Sequence, residues 1–422
     1  MNLEPRILID ISRLCYRRLY GRLPTGIDRV SLEYIRHYAG GARAVLSRSI
    51  FSSVLSRTDS ERAFRLLLDA RAPATLAILW LFFKAFLGWR MRPGVTDCVL
   101  LNTCHTGLHH AGYATDLMRG GARPVYFVHD LIPITHPQYC RAGERERHET
   151  RMRTVLKTGR GIIANSRDTL AALARFAEGE GLRMPPATVA PLATSLPRAE
   201  AGERPIAAPY FVVVGTIEPR KNHLLLLQLW RDMAARYKVQ DSRYKIQDTR
   251  FKVQDTRHKT PVTRHPEKSE AIPRLVIIGY RGWENREVFE LLDHSGELRG
   301  VVFEHSACSD EALAAWLRHA RALLFPSFTE GYGLPLAEAL SLGTPAIAAD
   351  LPVFREVAGE IPEYASPLDG GRWMELIADY ASPESARRAA QLERMKVFRA
   401  TTWEKHFEKV DDFLEQEMGN GK

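Results

Sequence analysis

Cysteine is scarce in this sequence, and its spacing suits neither a metal cluster nor a disulfide framework. The 422 residues include five cysteines, an odd number, and no two of them have the Cys-x-x-Cys spacing. This pattern favours a reducing cytosol over an oxidising compartment. The histidines show no metal-ligand spacing either, so we expect no metal site. The five cysteines are Cys15, Cys98, Cys104, Cys140 and Cys308.

Long apolar runs and a secretion signal are also missing. The N-terminal segment MNLEPRILIDIS places Glu4 and Pro5 where a signal peptide needs an apolar core. The longest apolar run, Leu76–Trp89, is interrupted by Lys84 and is shorter than the ~20 residues that span a bilayer. We therefore predict a cytoplasmic protein. Two interpretations of the run stay open: a buried helix, or a segment that contacts the inner face of the cytoplasmic membrane with its basic neighbours.

Charge of one sign is not in large excess either. The net charge is +9, and residues 236–260 alone contribute +5, which leaves +4 for the rest of the chain. Composition therefore gives no reason to expect a nucleic-acid partner. Residues 236–260 hold three near-identical copies of a seven-residue unit that begins with RYKVQDS at Arg236. We interpret them as a solvated surface insertion, with a basic docking patch for lipid or polymer as the alternative.

Short apolar runs alternate with helical patterns along most of the chain. Their continuous hydrophobicity is typical of strands buried on both faces of a parallel sheet. The strands predicted in the first half are Ile7–Ile11, Cys98–Leu101, Pro124–Val128, Gly161–Ala164 and Thr188–Ala190. Those predicted in the second half are Tyr210–Val214, Arg274–Ile278, Val301–Phe303, Ala322–Phe325 and Ala346–Ala348.

The region between these two series is rich in proline, alanine and charge, which is typical of a linker. Two successive β-α-β-α series predict an α/β protein of two Rossmann-like parallel-sheet domains that face a central cleft. We place the first domain at 1–196, the linker at 197–209 and the second domain at 210–400, with the repeat inserted at 236–260. Residues 401–422 are predicted as a C-terminal helix, for which a return to the first domain stays open.

The segment FPSFTEGYGLPLAEAL (325–340) predicts a strand, a loop and a helix that begins near Pro335. Gly331 and Gly333 allow a ligand close to the backbone, and the helix N-terminus offers N–H groups to a phosphate. Glu330 in the loop and Glu338 in the helix can address two hydroxyl-bearing parts of one ligand. The alternative is that both carboxylates only cap the helix and face solvent.

Two further segments place polar residues just after predicted strands. In GTIEPRKN (215–222), Arg220 and Lys221 are suited to clamp a diphosphate, with a solvated basic turn as the alternative. In PVYFVHD (124–130), His129 lies at the ligand-facing end of a strand. A third segment, LPTGIDRV (23–30), contains Gly26, which allows the backbone to approach a phosphate or an acceptor.

The segment containing Glu330 and Glu338 resembles the Glu-x7-Glu motif of family-4 retaining glycosyltransferases, which have the GT-B fold. GTIEPRKN, the His129-Asp130 pair and TGIDRV are similar to segments of the same family. Some relatives carry an additional arginine directly after the glycine of GTIEPRKN, where this chain has Thr216. That departure leaves Arg220 and Lys221 as the main cationic pair.

The resemblance implies a role for each of these residues. Glu330, His129, Arg220 and Lys221 would be catalytic: Glu330 and His129 would contact the transferred sugar, and the two cations would neutralise the departing diphosphate. The donor would be bound by Gly26, Gly331, Gly333, Leu334, Glu338, Arg220 and Lys221, with Glu338 on the ribose.

The resemblance also implies an activity, that of a retaining hexosyltransferase. The chain would move a sugar from a GDP- or UDP-linked donor to a growing bacterial surface polysaccharide or lipid-linked glycan. Mannose is favoured, because similar segments occur in O-antigen mannosyltransferases. No cofactor and no divalent metal are expected, and no Asp-x-Asp motif is present. The alternatives are a nucleotide-sugar 2-epimerase of the same fold and a non-catalytic scaffold that binds glycan or lipid.

Overall fold

The computed structural model describes nine stretches of the chain, and these fall into two compact units. The first unit comprises the residues up to Ala193 together with those from Thr401 onward, and the second is Thr194–Ala400. The segment predicted as a linker, 197–209, groups with the second unit. Apart from Arg236, the repeat lies outside the described residues. Those residues are 7–22, 24–48, 51–69, 74–88, 96–110, 112–197, 203–236, 272–306 and 308–419.

The first unit is built on a seven-stranded sheet in the order β3-β2-β1-β4-β5-β6-β7. Helices connect its strands, and buried apolar side chains of strands and helices form its core. The strands are β1 (Ile7–Asp10), β2 (Arg43–Arg48), β3 (Phe51–Val54), β4 (Val99–Asn102), β5 (Arg123–Val128), β6 (Gly161–Ala164) and β7 (Ala187–Val189). The helices are α1 (Ser12–Leu19), α2 (Gly26–Tyr38), α3 (Arg57–Leu68), α4 (Thr75–Gly88), α5 (Thr115–Arg119), α6 (Ile132–Thr135), α7 (Glu144–Thr158) and α8 (Arg167–Gly179).

The first sheet is parallel, as predicted, except for one strand at its edge. Strands β2 and β3 were not predicted, because buried Ser47, Ser52 and Ser53 interrupt their apolar pattern. Strand β3 pairs antiparallel with β2. Only two residues separate these strands, whereas a parallel return needs a crossover of about a dozen. The other strand pairs of this sheet are parallel, as predicted.

The second unit contains a six-stranded parallel sheet in the order β10-β9-β8-β11-β12-β13. Two separate clusters of buried apolar side chains pack around its strands. The strands are β8 (Tyr210–Val214), β9 (Arg274–Ile278), β10 (Val302–His305), β11 (Leu323–Phe325), β12 (Ala346–Ala349) and β13 (Glu363–Ala365). The helices are α9 (223–236), α10 (Arg286–His294), α11 (Asp310–His319), α12 (Leu334–Ser341), α13 (Pro352–Ala358), α14 (Gly370–Ala381) and α15 (Ala386–Met395).

The C-terminal helix α16 (Trp403–Gly419) packs on the first unit. Buried His406 bonds through Nδ1 to the Pro191 carbonyl at 3.0 Å and through Nε2 to the Tyr34 hydroxyl at 3.0 Å. The chain end is therefore tied both to α2 and to the segment after β7. Within the described stretches, no helix combines the length and apolar character needed to cross a bilayer.

Candidate active site

The fold of the second unit brings two loops together at one point of its sheet. The connections leave β8 and β11 in opposite directions across the sheet, and these two strands are neighbours. Ligands of open parallel sheets bind outside the carboxyl ends of strands at such a switch point. The loop after β8 carries Arg220 and Lys221 in a short 3-10 turn, and the loop after β11 carries Glu330. Lys221 and Glu330 thus meet although 109 positions separate them.

Glu330 is the centre of this cluster. Its Oε1 accepts hydrogen bonds from Lys221 Nζ at 2.5 Å and from Ser327 Oγ at 2.9 Å. Its Oε2 pairs with an Arg220 terminal nitrogen at 2.7 Å. The side chains of Lys221 and Glu330 are each only 8% exposed. The interpretations of a solvated basic turn and of a solvent-facing Glu330 are therefore wrong.

Burial and charge act in opposite directions on the carboxyl groups of the cluster. Burial alone would raise the pKa of Glu330, but Arg220 and Lys221 outweigh it and lower this pKa to about 2. Burial raises the pKa of Glu218, although Arg220 and Lys221 oppose that effect. Desolvation lowers the pKa of Lys221, and Glu330 opposes the shift. Glu330 is therefore the firmly ionised anion of the site.

Backbone contacts fix the two loops against each other. Asn222 adopts a left-handed conformation at φ 56°, and its side-chain amide donates to the Pro367 carbonyl at 2.9 Å. The Phe328 amide donates to the Arg220 carbonyl at 2.8 Å, and the Arg220 guanidinium donates to the Thr329 carbonyl at 3.2 Å. The cations therefore have defined positions before any ligand arrives.

The loop after β11 leads directly into the N-terminus of α12, with Gly331 at its centre. Gly333 lies at φ 96°, and a Cβ there would approach Phe354 Cε1 to 2.7 Å. Only glycine fits this position, and Leu334 then begins the helix. Glu338, one turn further on, is 7% exposed, so the interpretation of a solvent-facing carboxylate is wrong here too. An anion outside β11 would meet the positive end of the α12 dipole.

In the first unit, His129 follows β5 and is almost fully buried. Its Nε2 lies 2.7 Å from the Thr103 carbonyl, and its own carbonyl accepts from the Asn165 amide at 2.9 Å. Burial lowers the pKa of His129 to about 4, against the opposing contact with Thr103. The ring is therefore neutral at physiological pH. The Asp130 carboxylate accepts from the Ile132 amide at 3.1 Å and shapes the loop.

Gly26 is the first residue of α2, and it is exposed. Thr25 and Asp28 form a capping box at the start of this helix, in which the Thr25 amide donates to Asp28 Oδ2 at 2.7 Å. Asp28 is buried and also pairs with Arg13 at 2.7 Å and with Arg17 at 2.7 Å. The role of Gly26 in ligand binding stays a prediction.

Several polar residues near these loops were not predicted from the sequence. Glu218 pairs with Arg220 Nε at 2.5 Å, and the acidic residue next to Pro219 in GTIEPRKN was the available signal. His105 follows β4 and is buried, and its Nε2 has no hydrogen-bond partner among the residues that the structure describes. Asp10, at the end of β1, is buried and accepts from the Tyr113 hydroxyl at 2.7 Å. His105 and Asp10 had no local signal, because their neighbours come from distant parts of the chain.

Metal-ligating side chains do not cluster in the parts of the chain that the structure describes. No group of three or more His, Cys, Asp or Glu residues there has an arrangement that could hold a metal ion. The charges of the candidate site are balanced by arginine, lysine and carboxylate side chains instead.

The two Rossmann-like sheets define the chain as a GT-B protein. Anabaena HepE in complex with UDP and glucose matches 98% of this chain and 100% of that one, with a TM-score of 0.62 at 12% identity. Sucrose-phosphate synthase from Thermosynechococcus elongatus matches 99% and 100%, with a TM-score of 0.63 at 16% identity. At such identities the likeness shows the fold alone.

The sequence itself matches a family within this class. Residues 262–361 match the model of the family of glycosyl transferases group 1. It is 29% identical over 299 residues to the serotype-specific mannosyltransferase WbdA of Escherichia coli, covering 64% of this chain and 32% of that protein. It is 25% identical over 289 residues to O-antigen chain mannosyltransferase B of Escherichia coli, covering 67% of each. The chain thus spans about a third of the length of WbdA.

Proposed function

We propose that this chain is a hexosyltransferase that moves mannose from a nucleotide-sugar donor to a growing bacterial polysaccharide or lipid-linked glycan, with retention of configuration, in the cytoplasm. The observation that carries the proposal is the buried cluster of Arg220, Lys221 and Glu330 at the switch point of the second sheet. The choice of mannose and of an O-antigen type of acceptor rests on what the similar Escherichia coli proteins are named for.

The cluster suits a donor diphosphate for an electrostatic reason. Arg220 offers a planar fork of N–H groups that can bind two phosphate oxygens, and Lys221 adds a compact charge. The N-terminus of α12 supplies N–H groups and a positive dipole end beside them. These groups are fixed before the reaction, so they can stabilise charge that develops on the leaving diphosphate without reorganising.

The Glu330 carboxylate can also accept a hydrogen bond from a sugar. A carboxylate has about four lone-pair positions, and Lys221, Ser327 and Arg220 occupy three of them. With respect to the described part of the chain, one position on Oε2 is left for a sugar hydroxyl. The same carboxylate can therefore hold the cations in place and orient the transferred sugar.

Two further residues, His129 in the first unit and Glu338 in the second, each have a proposed contact with the donor. Because a carbonyl oxygen only accepts, His129 Nε2 carries the ring proton, and Nδ1 is left to accept from a sugar hydroxyl. Glu338 would bind the ribose from the first turns of α12. Gly26, Gly331, Gly333 and Leu334 would bring backbone groups close to the donor.

The proposed chemistry is a front-face displacement. The acceptor hydroxyl forms a bond to the anomeric carbon as the bond from that carbon to the diphosphate breaks. The departing phosphate oxygen takes the proton of the hydroxyl, so atoms and charges balance without a metal ion. The new bond to the anomeric carbon forms on the same face of the sugar as the bond that breaks, which gives retention.

Two carboxamide variants test the assignment. Glu330→Gln should abolish most transfer while GDP or UDP still binds, because Arg220 and Lys221 remain. Glu338→Gln should first weaken nucleotide binding. Calorimetry with free nucleotides, and release of nucleoside diphosphate from GDP-mannose with and without acceptor, measure the two effects. Near-normal transfer by both variants would refute the site.

The same assay separates the alternatives. A 2-epimerase would convert UDP-N-acetylglucosamine without any acceptor and without net release of sugar from the donor. A scaffold would bind glycan or lipid and release no nucleoside diphosphate at all. A thermal-shift screen of GDP-, UDP-, ADP- and dTDP-sugars identifies the base independently of turnover.

A further inference from the structure

Helix α4 has two apolar faces, and among the described residues one face is buried and the other is exposed. Ile78, Leu81 and Ala85 are buried. Large apolar side chains on the opposite side are between 48% and 83% exposed. With 3.6 residues per turn, these exposed side chains occupy about one third of the helix circumference. They are Leu76, Leu79, Trp80, Phe83, Phe86 and Leu87, and we refer to them as the outer face of α4.

The outer face is a continuous surface with an aromatic centre. Trp80 and Phe83 stack with ring centroids 5.4 Å apart, and Phe86 contacts Phe51 at 5.9 Å. Single exposed apolar residues are normal on a protein surface, whereas a contiguous group on one helix marks a contact site. The α4 helix of 14 residues is shorter than the ~20 needed to cross a bilayer. A membrane contact would therefore lie along the interface.

The sequence around α4 is basic. Between Asp69 and Asp97 the sequence contains four basic residues and no acidic one. Of these four, Lys84 lies within the described residues, beside the Trp80 ring, and is paired with Asp59 at 2.8 Å. The other three, Arg71, Arg90 and Arg92, lie outside the described residues.

Helix α1 places further basic residues beside α4. Tyr16 of α1 contacts Phe82 of α4 at 5.0 Å, so the two helices lie side by side. The segment 12–22 contains four arginines and no acidic residue. Its end is exposed at Tyr20 and Arg22. The apolar surface is thus bordered by cations on a neighbouring element as well.

We propose that the outer face of α4, with the end of α1, docks this chain on a membrane surface that contains anionic lipids. Apolar and aromatic side chains would enter the headgroup boundary, and the neighbouring cations would attract the lipid charge. A second copy of this chain fits less well, because a symmetric contact would bring the same positive surfaces together. The inference does not depend on the proposed transfer reaction.

The test measures binding to vesicles without donor or acceptor. The full chain should sediment with vesicles of phosphatidylcholine mixed with phosphatidylglycerol, and much less with phosphatidylcholine alone. High salt should weaken the binding, since surface charges are screened. The double variant Trp80→Ser/Phe83→Ser should lower the partition coefficient about tenfold or more, because two large side chains no longer enter the interface.

A matched control changes two exposed apolar residues in the second unit. Leu368→Ser/Val397→Ser should leave vesicle binding unchanged, although both side chains are more exposed than Trp80. Circular dichroism and thermal melts should show that both double variants are folded, as expected for substitutions at exposed positions. If the Trp80/Phe83 variant does unfold, Trp80 fluorescence in the parent is the second readout. It should shift to the blue with anionic vesicles, and Trp80→Phe should remove the shift.

Three results would overturn the proposal. The first is no vesicle binding by the parent chain at low salt. The second is equal loss of binding in the control variant. The third is a dimer, seen by light scattering, that Trp80→Ser/Phe83→Ser dissociates in the absence of lipid, which would assign the face to a second copy. Loss of transfer without loss of vesicle binding would concern the proposed function and not this inference.

Discussion

Lys221 illustrates how one side chain serves both stability and the proposed chemistry. Its ammonium is buried, pairs with Glu330 at 2.5 Å and lies 4.9 Å from the centre of the Phe325 ring. In the sequence Lys221 stands in a loop just before a helix, a position at which removal of a lysine side chain is expected to cost the fold little. The structure corrects that expectation, because removing the ammonium leaves a buried carboxylate with one cation fewer.

Lys221→Ala should therefore affect both turnover and folding. Losing one preorganised contact to a developing charge lowers turnover by about 10²–10³, or 2.7–4 kcal/mol. The free energy of unfolding should fall by about 1–3 kcal/mol, since Glu330 loses a buried partner. Denaturant unfolding and product assays measure the two effects.

A surface cation provides the control for Lys221. Arg372→Ala removes an equal charge from a partly exposed pair with Glu375 on α14. It should change stability by less than about 1 kcal/mol, because exposed pairs contribute little. If Lys221→Ala behaved like Arg372→Ala in both assays, the central role of the buried cluster would be wrong.

At the scale of elements, the start of α12 is set by one glycine. Gly333 at φ 96° turns the chain from the Glu330 loop into the helix, and Phe354 of α13 packs against its open side. This close approach places the Leu334 end of α12 beside the loop that carries Glu330. The position of the α12 N-terminus, which would bind the phosphate, therefore depends on residue 333 having no side chain.

Gly333→Ala should lower the free energy of unfolding more than the same substitution at a glycine that has a positive φ but free space around it. Gly343 after α12 also has a positive φ, of 81°, but a Cβ there meets nothing within 4 Å. Both alanine variants carry the strain, about 1–3 kcal/mol. Gly333→Ala should lose about 1–3 kcal/mol more, because Phe354 must move. Urea unfolding gives the comparison, and calorimetry with GDP should show weaker binding only for Gly333→Ala. Equal losses of stability in the two variants would mean that Phe354 moves aside at no cost in free energy, which would contradict the prediction.

At the scale of the whole molecule, buried neutral histidines are expected to control acid stability. Burial lowers the pKa of His129 to about 4, of His223 to about 3 and of His406 to about 4. An unfolded histidine titrates near 6.5, so below that pH the unfolded chain binds more protons than the folded chain. Stability should therefore fall as the pH drops from 6.5 toward 4. Glu330, with a pKa of about 2, loses its contribution only below pH 4.5.

His406→Gln tests this prediction outside the candidate site. A glutamine can both donate and accept, as His406 does between Pro191 and Tyr34, but it does not titrate. One buried histidine of this kind should make the free energy of unfolding at pH 5 lower than at neutral pH by on the order of 2 kcal/mol. Between neutral pH and pH 5, the free energy of unfolding of the variant should therefore fall by about 2 kcal/mol less than that of the parent. Urea unfolding across the pH range measures both. A slope identical to that of the parent would contradict the assignment.

Local patterns in the sequence were enough to predict much of this molecule. The parallel strands beginning at Ile7, Gly161 and Tyr210 were readable because strands buried on both faces must be apolar at every position. The loops with Lys221 and Glu330 were readable because each lies within a few residues of its strand. Strands β2 and β3 were missed, since buried serines interrupt their apolar pattern, and one of these, Ser52, accepts from the Ala114 amide inside the fold.

The sequence by itself determined the two α/β units and the loops that carry the candidate residues, because strand and helix signals are confined to short windows. Only the tertiary structure decided that Lys221 pairs with Glu330, that His129 is neutral, and that one face of α4 stays uncovered. Such contacts join residues far apart in the chain. They depend on the order of strands in a sheet and on what each helix packs against, and no local window of sequence contains that information.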